Sequence, residues 1–129
     1  MDMLHGIQDI LNANIRILRD IILLPEDQKQ EKQNLKNIIE KTTNTASEIY
    51  KKLDMIVSTN EGRDLFNQFI EIRKEYSTYI NKAVNYAMKD KDDQATALVF
   101  GEIANVQRVY FNKLAEFTEL QKTYMDNAK

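Results

Sequence analysis

Cysteine is absent from the chain. That removes disulfides, thiolate metal sites, covalently attached haem and a cysteine nucleophile. Proline occurs once and glycine three times in 129 residues. All-β folds need far more turn residues, so long helices with few breaks are expected. The one histidine is His5, whereas a di-iron bundle needs Glu-x-x-His on two helices. Five scattered methionines read as packing rather than as axial ligands of a haem. No glycine-rich phosphate loop and no nucleophile elbow is present. The expectation is therefore no cofactor, no metal and no catalytic residue: a protein that is not an enzyme.

Charge of one sign is missing as well. Eighteen basic and twenty acidic residues give a net charge of -2, with no block of either sign. A nucleic-acid surface wants a concentrated basic face, and an anionic membrane wants a polybasic patch, so neither partner is expected. No run of eighteen apolar residues occurs, so any contact with a membrane falls to flanking segments absent from this sequence. Met1 leads straight into helical sequence without a signal-peptide pattern. Such a start suits either a cytosolic protein or a domain taken from a longer chain.

What is present is a helical pattern with three interruptions and no internal repeat. "LLPEDQ" at 23–28 holds the only proline, followed by acidic residues suited to a helix N-terminus. "STNEGRD" at 58–64 offers Ser58, Thr59 and Asn60 as caps. "KDKDDQA" at 89–95 offers Asp92 or Asp93. The spacing predicts helices over about 3–24, 28–57, 61–89 and 93–127. The last three are roughly 45 Å long, and short turns force them antiparallel. The expected fold is all-α, a single domain over 1–129 built as an up-down-up-down four-helix bundle.

Apolar steps of three and four give the inward faces. Helix one offers Leu4, Ile7, Leu11, Asn14, Leu18 and Ile21; helix two offers Leu35, Ile38, Ile39, Thr42, Ala46, Ile49, Leu53 and Ile56. Helix three offers Phe66, Phe69, Tyr76, Ile80 and Ala83, with Arg73 filling the step between Phe69 and Tyr76. Helix four offers Val99, Ile103, Val106, Tyr110, Leu114, Phe117 and Leu120. At about 1.5 Å per residue, Asn14, Thr42, Tyr76 and Arg73 fall within one band roughly 10 Å deep.

A polar band inside a bundle reads as a chamber for an anion. A buried guanidinium must find an acceptor, and its planar fork matches a carboxylate in two parallel hydrogen bonds. Thr42, Tyr76 and Asn14 add polar groups, and Arg16 and Arg19 lie within reach above them. A di- or tricarboxylate, or an amino acid, suits that set. The alternative is structural: Arg73 snorkels to solvent or pairs with an acid such as Glu102, Thr42 bonds its own backbone, and Asn14 sets register.

Helix one carries a second apolar series, Met3, Ile10, Ile17 and Leu24, spaced by seven. It either borders the core of a single bundle or forms a coiled-coil-like seam to a second copy, a homodimer through helix one.

These features together resemble the four-helix-bundle sensor domain of bacterial methyl-accepting chemotaxis receptors, over nearly the whole chain. The resemblance rests on the N-x-R-x-x-R run Asn14-Ile15-Arg16-Ile17-Leu18-Arg19. It rests also on "NEGRDLFNQFIEIRKEYSTYINKAV", with its acidic start and Arg-x-x-Tyr, and on the charged turn and small-residue start of helix four in "MKDKDDQATAL". The resemblance implies a periplasmic or otherwise extracytoplasmic domain, flanked by transmembrane helices and dimerising through helix one. It implies binding of amino acids or organic acids, with Arg19, Thr42, Arg73 and Tyr76 at positions matching a carboxylate-binding subgroup. It further implies a small displacement of helix four, passed inward through "YMDNAK". A sensor-kinase domain shares these expectations. A cytosolic adaptor binding a protein along helix one is the alternative from another class.

Overall fold

The computed structural model describes the backbone of residues 3–127 and the side-chain surroundings of residues 3–122. Among them, α1 spans Met3–Leu23, α2 Lys29–Ile56 and α3 Asn60–Met88. A fourth rod is built from α4 (Asp92–Leu98), a π-helical turn (Val99–Ile103) and α5 (Ala104–Asn127). The expected all-α, up-down-up-down four-helix bundle is what the chain forms. Met1, Asp2, Ala128 and Lys129 lie outside the described residues, as do the side chains of "YMDNAK".

Antiparallel pairing is visible in side-chain partners equidistant from a turn. The rings of Tyr50 near the end of α2 and Phe66 near the start of α3 lie 6.3 Å apart. The closest backbone pairings are α1 with α2 and α3 with the fourth rod, so two helical hairpins face each other. α1 and α3 approach across the short diagonal, while the backbones of α2 and α5 hardly meet.

The turns show why the helices stop where they do. Thr59 is the N-cap of α3: its backbone is extended and its Oγ1 accepts from the Gly62 amide at 3.0 Å. Gly62 eases the close approach there, because a Cβ would stand 3.0 Å from Thr59 Oγ1 and 3.1 Å from Val57 Cγ1, which would have to give by a few tenths of an ångström. Arg63 then closes the end of α2. Its guanidinium donates to the carbonyls of Asp54 and Val57, each at 3.0 Å, and to the Asp54 carboxylate.

The third turn departs from expectation. Asp92 and Asp93 occupy the first turn of α4, and Lys91 holds the N-cap position without a side-chain cap. The reason is the end of α3. The Asp90 amide donates to Ala87 O at 3.2 Å and the Lys91 amide to Tyr86 O at 2.8 Å, a Schellman motif. Asp90 takes the left-handed position with φ 59°. With Lys91 committed to that motif, the new helix starts directly after it.

Burial follows the expected faces closely on α1, α3 and the fourth rod, with Leu120 only half-buried. On α2 the inward line is rotated by about one residue. Ile38 and Ile56, expected inside, are 44% and 56% exposed, while Tyr50 and Val57 are buried. Tyr50 crosses to the fourth rod and Val57 packs into the turn, so they displace Ile49 and Ile56 from the innermost positions.

Among the described residues one charged side chain is fully inside. Lys32 is 1% exposed, and its Nζ donates to Asp90 Oδ1 at 2.8 Å and to Ala87 O at 3.4 Å. The start of α2 is thereby tied to the α3–α4 turn. Removing the anion strands a buried cation, so Asp90→Asn should cost about 3–5 kcal/mol. Lys32→Met leaves only a quarter-exposed Asp90 that water can reach, and should cost less than half as much. Urea unfolding of the two variants, compared at equal m-value, measures the asymmetry.

Candidate functional site

The middle of the bundle is a polar and aromatic layer fed by all four rods. Tyr50 from α2 and Tyr110 from α5 meet hydroxyl to hydroxyl, spanning the long diagonal that the backbones leave open. The Tyr76 ring stands edge-on to Tyr110, centroids 5.8 Å apart at 87°, and its hydroxyl donates to Gln107 Oε1 at 3.4 Å. Phe69 and Phe117 continue the stack below, 5.3 Å apart.

Arg73 lies against this layer. Its guanidinium carbon is 4.7 Å from the centroid of the Tyr50 ring, and its Nη2 donates to Ser47 Oγ at 2.5 Å. Both partners are neutral. Among the described residues no carboxylate stands within ion-pair range of it; the six ion pairs there involve other cations. Glu102, the expected structural partner, is exposed. Cation–π stacking holds the fork in place without neutralising its charge.

Beside Arg73 lies a cavity of about 50 Å³, partly open to solvent and bounded by α1, α2, α3 and α5. Asn14, Arg73 and Tyr76 all line it, so three residues singled out by periodicity come together. Thr42 stands one step back: its hydroxyl shares its single proton between Asn14 Oδ1 at 2.5 Å and Ile39 O at 2.9 Å. With that oxygen taken, Asn14 has its amide Nδ2 left to offer the cavity. The neighbouring Thr43 lines the wall instead, its hydroxyl spent on Ile39 O at 2.8 Å.

Arg16 and Arg19 are exposed and stand outside the cavity lining. Arg19 borders a separate surface groove of about 410 Å³ between α1 and the fourth rod, shared with Arg108, Gln107 and Phe111. Of the helix-one stripe, Met3, Ile10, Ile17 and Leu24 are all half-buried; Met3 and Ile17 pack against the core, and Ile10 lines the cavity.

Sequence reasoning missed Tyr50, Ser47, Thr43 and Ser77. Tyr50 was legible in principle, because it follows Ala46 by four and precedes Leu53 by three. The serines and the second threonine carry no periodic signal, since small polar residues are equally at home on a helix surface.

Burial pushes the phenols of Tyr50 and Tyr76 well above the ordinary tyrosine value, with the Arg73 charge partly opposing this at Tyr50. Both are neutral hydrogen-bonding groups at any physiological pH. Their unfolded-state phenols ionise near pH 10 while the folded ones do not, so the unfolded chain releases protons first. Stability present below about pH 10 should therefore fall as pH rises above it. Denaturant titrations from pH 8 to 11 check this, and Tyr76→Phe should flatten the slope.

Over residues 1–128 the chain matches a family model described as a four helix bundle sensory module for signal transduction. Among curated proteins and solved structures nothing matches.

Proposed function

The chain belongs to this family of four-helix-bundle sensory modules for signal transduction, of the methyl-accepting chemotaxis type, and we propose that it senses a small organic acid whose carboxylate docks on Arg73. The observation that carries the reading is the half-buried guanidinium lining a cavity with only neutral partners beside it. A cation so placed lacks a counter-ion that a carboxylate supplies. Asn14 contributes its amide to orient the bound group and the Tyr76 ring walls the site, while Thr42 holds Asn14 in place. The family is a sensory signalling module rather than a known enzyme domain.

The classes expected from the sequence, di- and tricarboxylates and amino acids, have in common the carboxylate that such a site requires. Cavity size then gives the signal a physical origin. A cavity of roughly 150 Å³ is filled by a benzene-sized molecule, so about 50 Å³ admits little more than a carboxylate head. A larger acid makes room by parting α3 from α1 and α2. That strain reaches the fourth rod through Tyr76–Gln107 and Tyr50–Tyr110, so binding favours a shifted packing of α5. The proposal includes an extracytoplasmic location, flanking membrane segments that receive the shift, and a homodimer through Met3, Ile10, Ile17 and Leu24. No helix among the described residues is long and apolar enough to cross a membrane.

A thermal-shift screen of the purified chain against mono-, di- and tricarboxylates and amino acids tests the reading. A ligand at a hundredfold excess over its Kd adds about 2.7 kcal/mol to stability, which raises Tm by roughly 10 °C for a domain of this size. The rise should vanish in Arg73→Ala while circular dichroism stays helical. An undiminished shift in Arg73→Ala would move the site elsewhere. No shift with any acid at millimolar concentration would remove carboxylate sensing altogether.

A further inference from the structure

We infer that the cavity beside Arg73 selects monocarboxylates with a short apolar body, over dicarboxylates and over amino acids. The inference rests on the sensing role proposed above and concerns the charge and polarity of that same site. Arg73 is the one charged residue among the cavity's lining. A second carboxylate of a bound diacid would find no second cation there, because Arg16 and Arg19 are exposed and outside the lining. Desolvating that group without a partner is costly. An α-ammonium fares no better. No acidic side chain lines the cavity, so no counter-charge meets it there.

The walls opposite the guanidinium argue in the same direction. Ile7, Leu11, Ala46 and Ile80 are apolar or small, and Tyr110 presents a ring whose hydroxyl is engaged by Tyr50. Such walls favour CH₂ and CH₃ groups, which gain by leaving water. A site with one cation, no anion and a lining that is mainly apolar beyond Asn14, Thr43, Ser77 and Asn81 suits a single carboxylate on an aliphatic stem. The small volume favours short stems, because a longer one has to part the rods.

Two matched pairs test this by isothermal titration calorimetry on the whole chain. Butyrate and succinate share a four-carbon backbone and differ by one carboxylate; 4-methylpentanoate and leucine share a skeleton and differ by one ammonium. The expected result is that the monoacid of each pair binds at least about tenfold more tightly. Arg73→Gln should abolish the binding, whereas Arg73→Lys, which keeps the charge but loses the fork, should only weaken it. Asn81→Arg brings a second cation to the exposed edge of the lining and should raise succinate affinity relative to butyrate. Tighter binding of succinate or leucine by the unaltered chain, lost in Arg73→Gln, would overturn the selectivity and leave the sensing role intact. Equal affinity of butyrate for wild type and Arg73→Gln would overturn the site, and with it the selectivity. Failure of all four acids to bind would overturn both.

Discussion

The stacking of Arg73 on Tyr50 constrains everything at the middle of this bundle. A guanidinium cannot be left inside a helical core without acceptors, and here it has one hydroxyl and the face of one ring. Those partners come from α2, so the cation on α3 also serves as a cross-brace between the two hairpins. Tyr50 in turn reaches over the long diagonal to Tyr110, where the backbones of α2 and α5 hardly approach. The polar layer is thus the place where all four rods are joined. An anion bound against Arg73 acts on the brace itself.

Two firmly tied ends flank that adaptable layer. At one end Lys32 anchors α2 to the α3–α4 turn through a buried ion pair. At the other Arg63 seals the last carbonyls of α2, and Thr59 caps α3. With the turns held, a ligand-induced change in the middle cannot be absorbed by loosening a loop. It has to appear as bending, rotation or sliding of the rods. The π-helical turn at Val99–Ile103 is the one place among the described residues where a rod departs from regular α geometry. It sits just ahead of Gln107, which accepts from Tyr76, and of Tyr110, which lines the cavity from α5.

How much of this the sequence discloses differs from element to element, for physical reasons. On α1 the buried positions Leu4, Ile7, Leu11, Asn14, Leu18 and Ile21 stand out because the opposite face is polar. On α2 the apolar positions form a broad band broken by threonines, so its phase is legible only to within a residue; Ile38 and Ile56 were placed inside where Tyr50 and Val57 belong. Arg73 was found because it interrupts a clean series. Lys32 was not, since an isolated lysine near a helix start reads as solvent-exposed until the aspartate from a distant turn is placed beside it. Asp90 gives no sign of its left-handed backbone, a position glycine usually takes. The π turn is equally silent, because the step from Val99 to Ile103 is four residues whether or not an extra one is accommodated.

The same consideration separates Arg73 from the other arginines that periodicity drew towards the chamber. Height along a helix fixes distance from the turns but not direction around the axis. Arg16 and Arg19 share roughly the right height, yet α1 turns them outward, away from the face that carries Asn14. A long side chain can span one turn of its own helix; it cannot pass through the packed Ile15 and Leu18 that lie between. The charge inside the cavity is therefore set by α3 alone, and the number of cations available to an enclosed ligand is one. If the bundle senses an acid as proposed, that single charge, more than the cavity's shape, decides which acids it can hold.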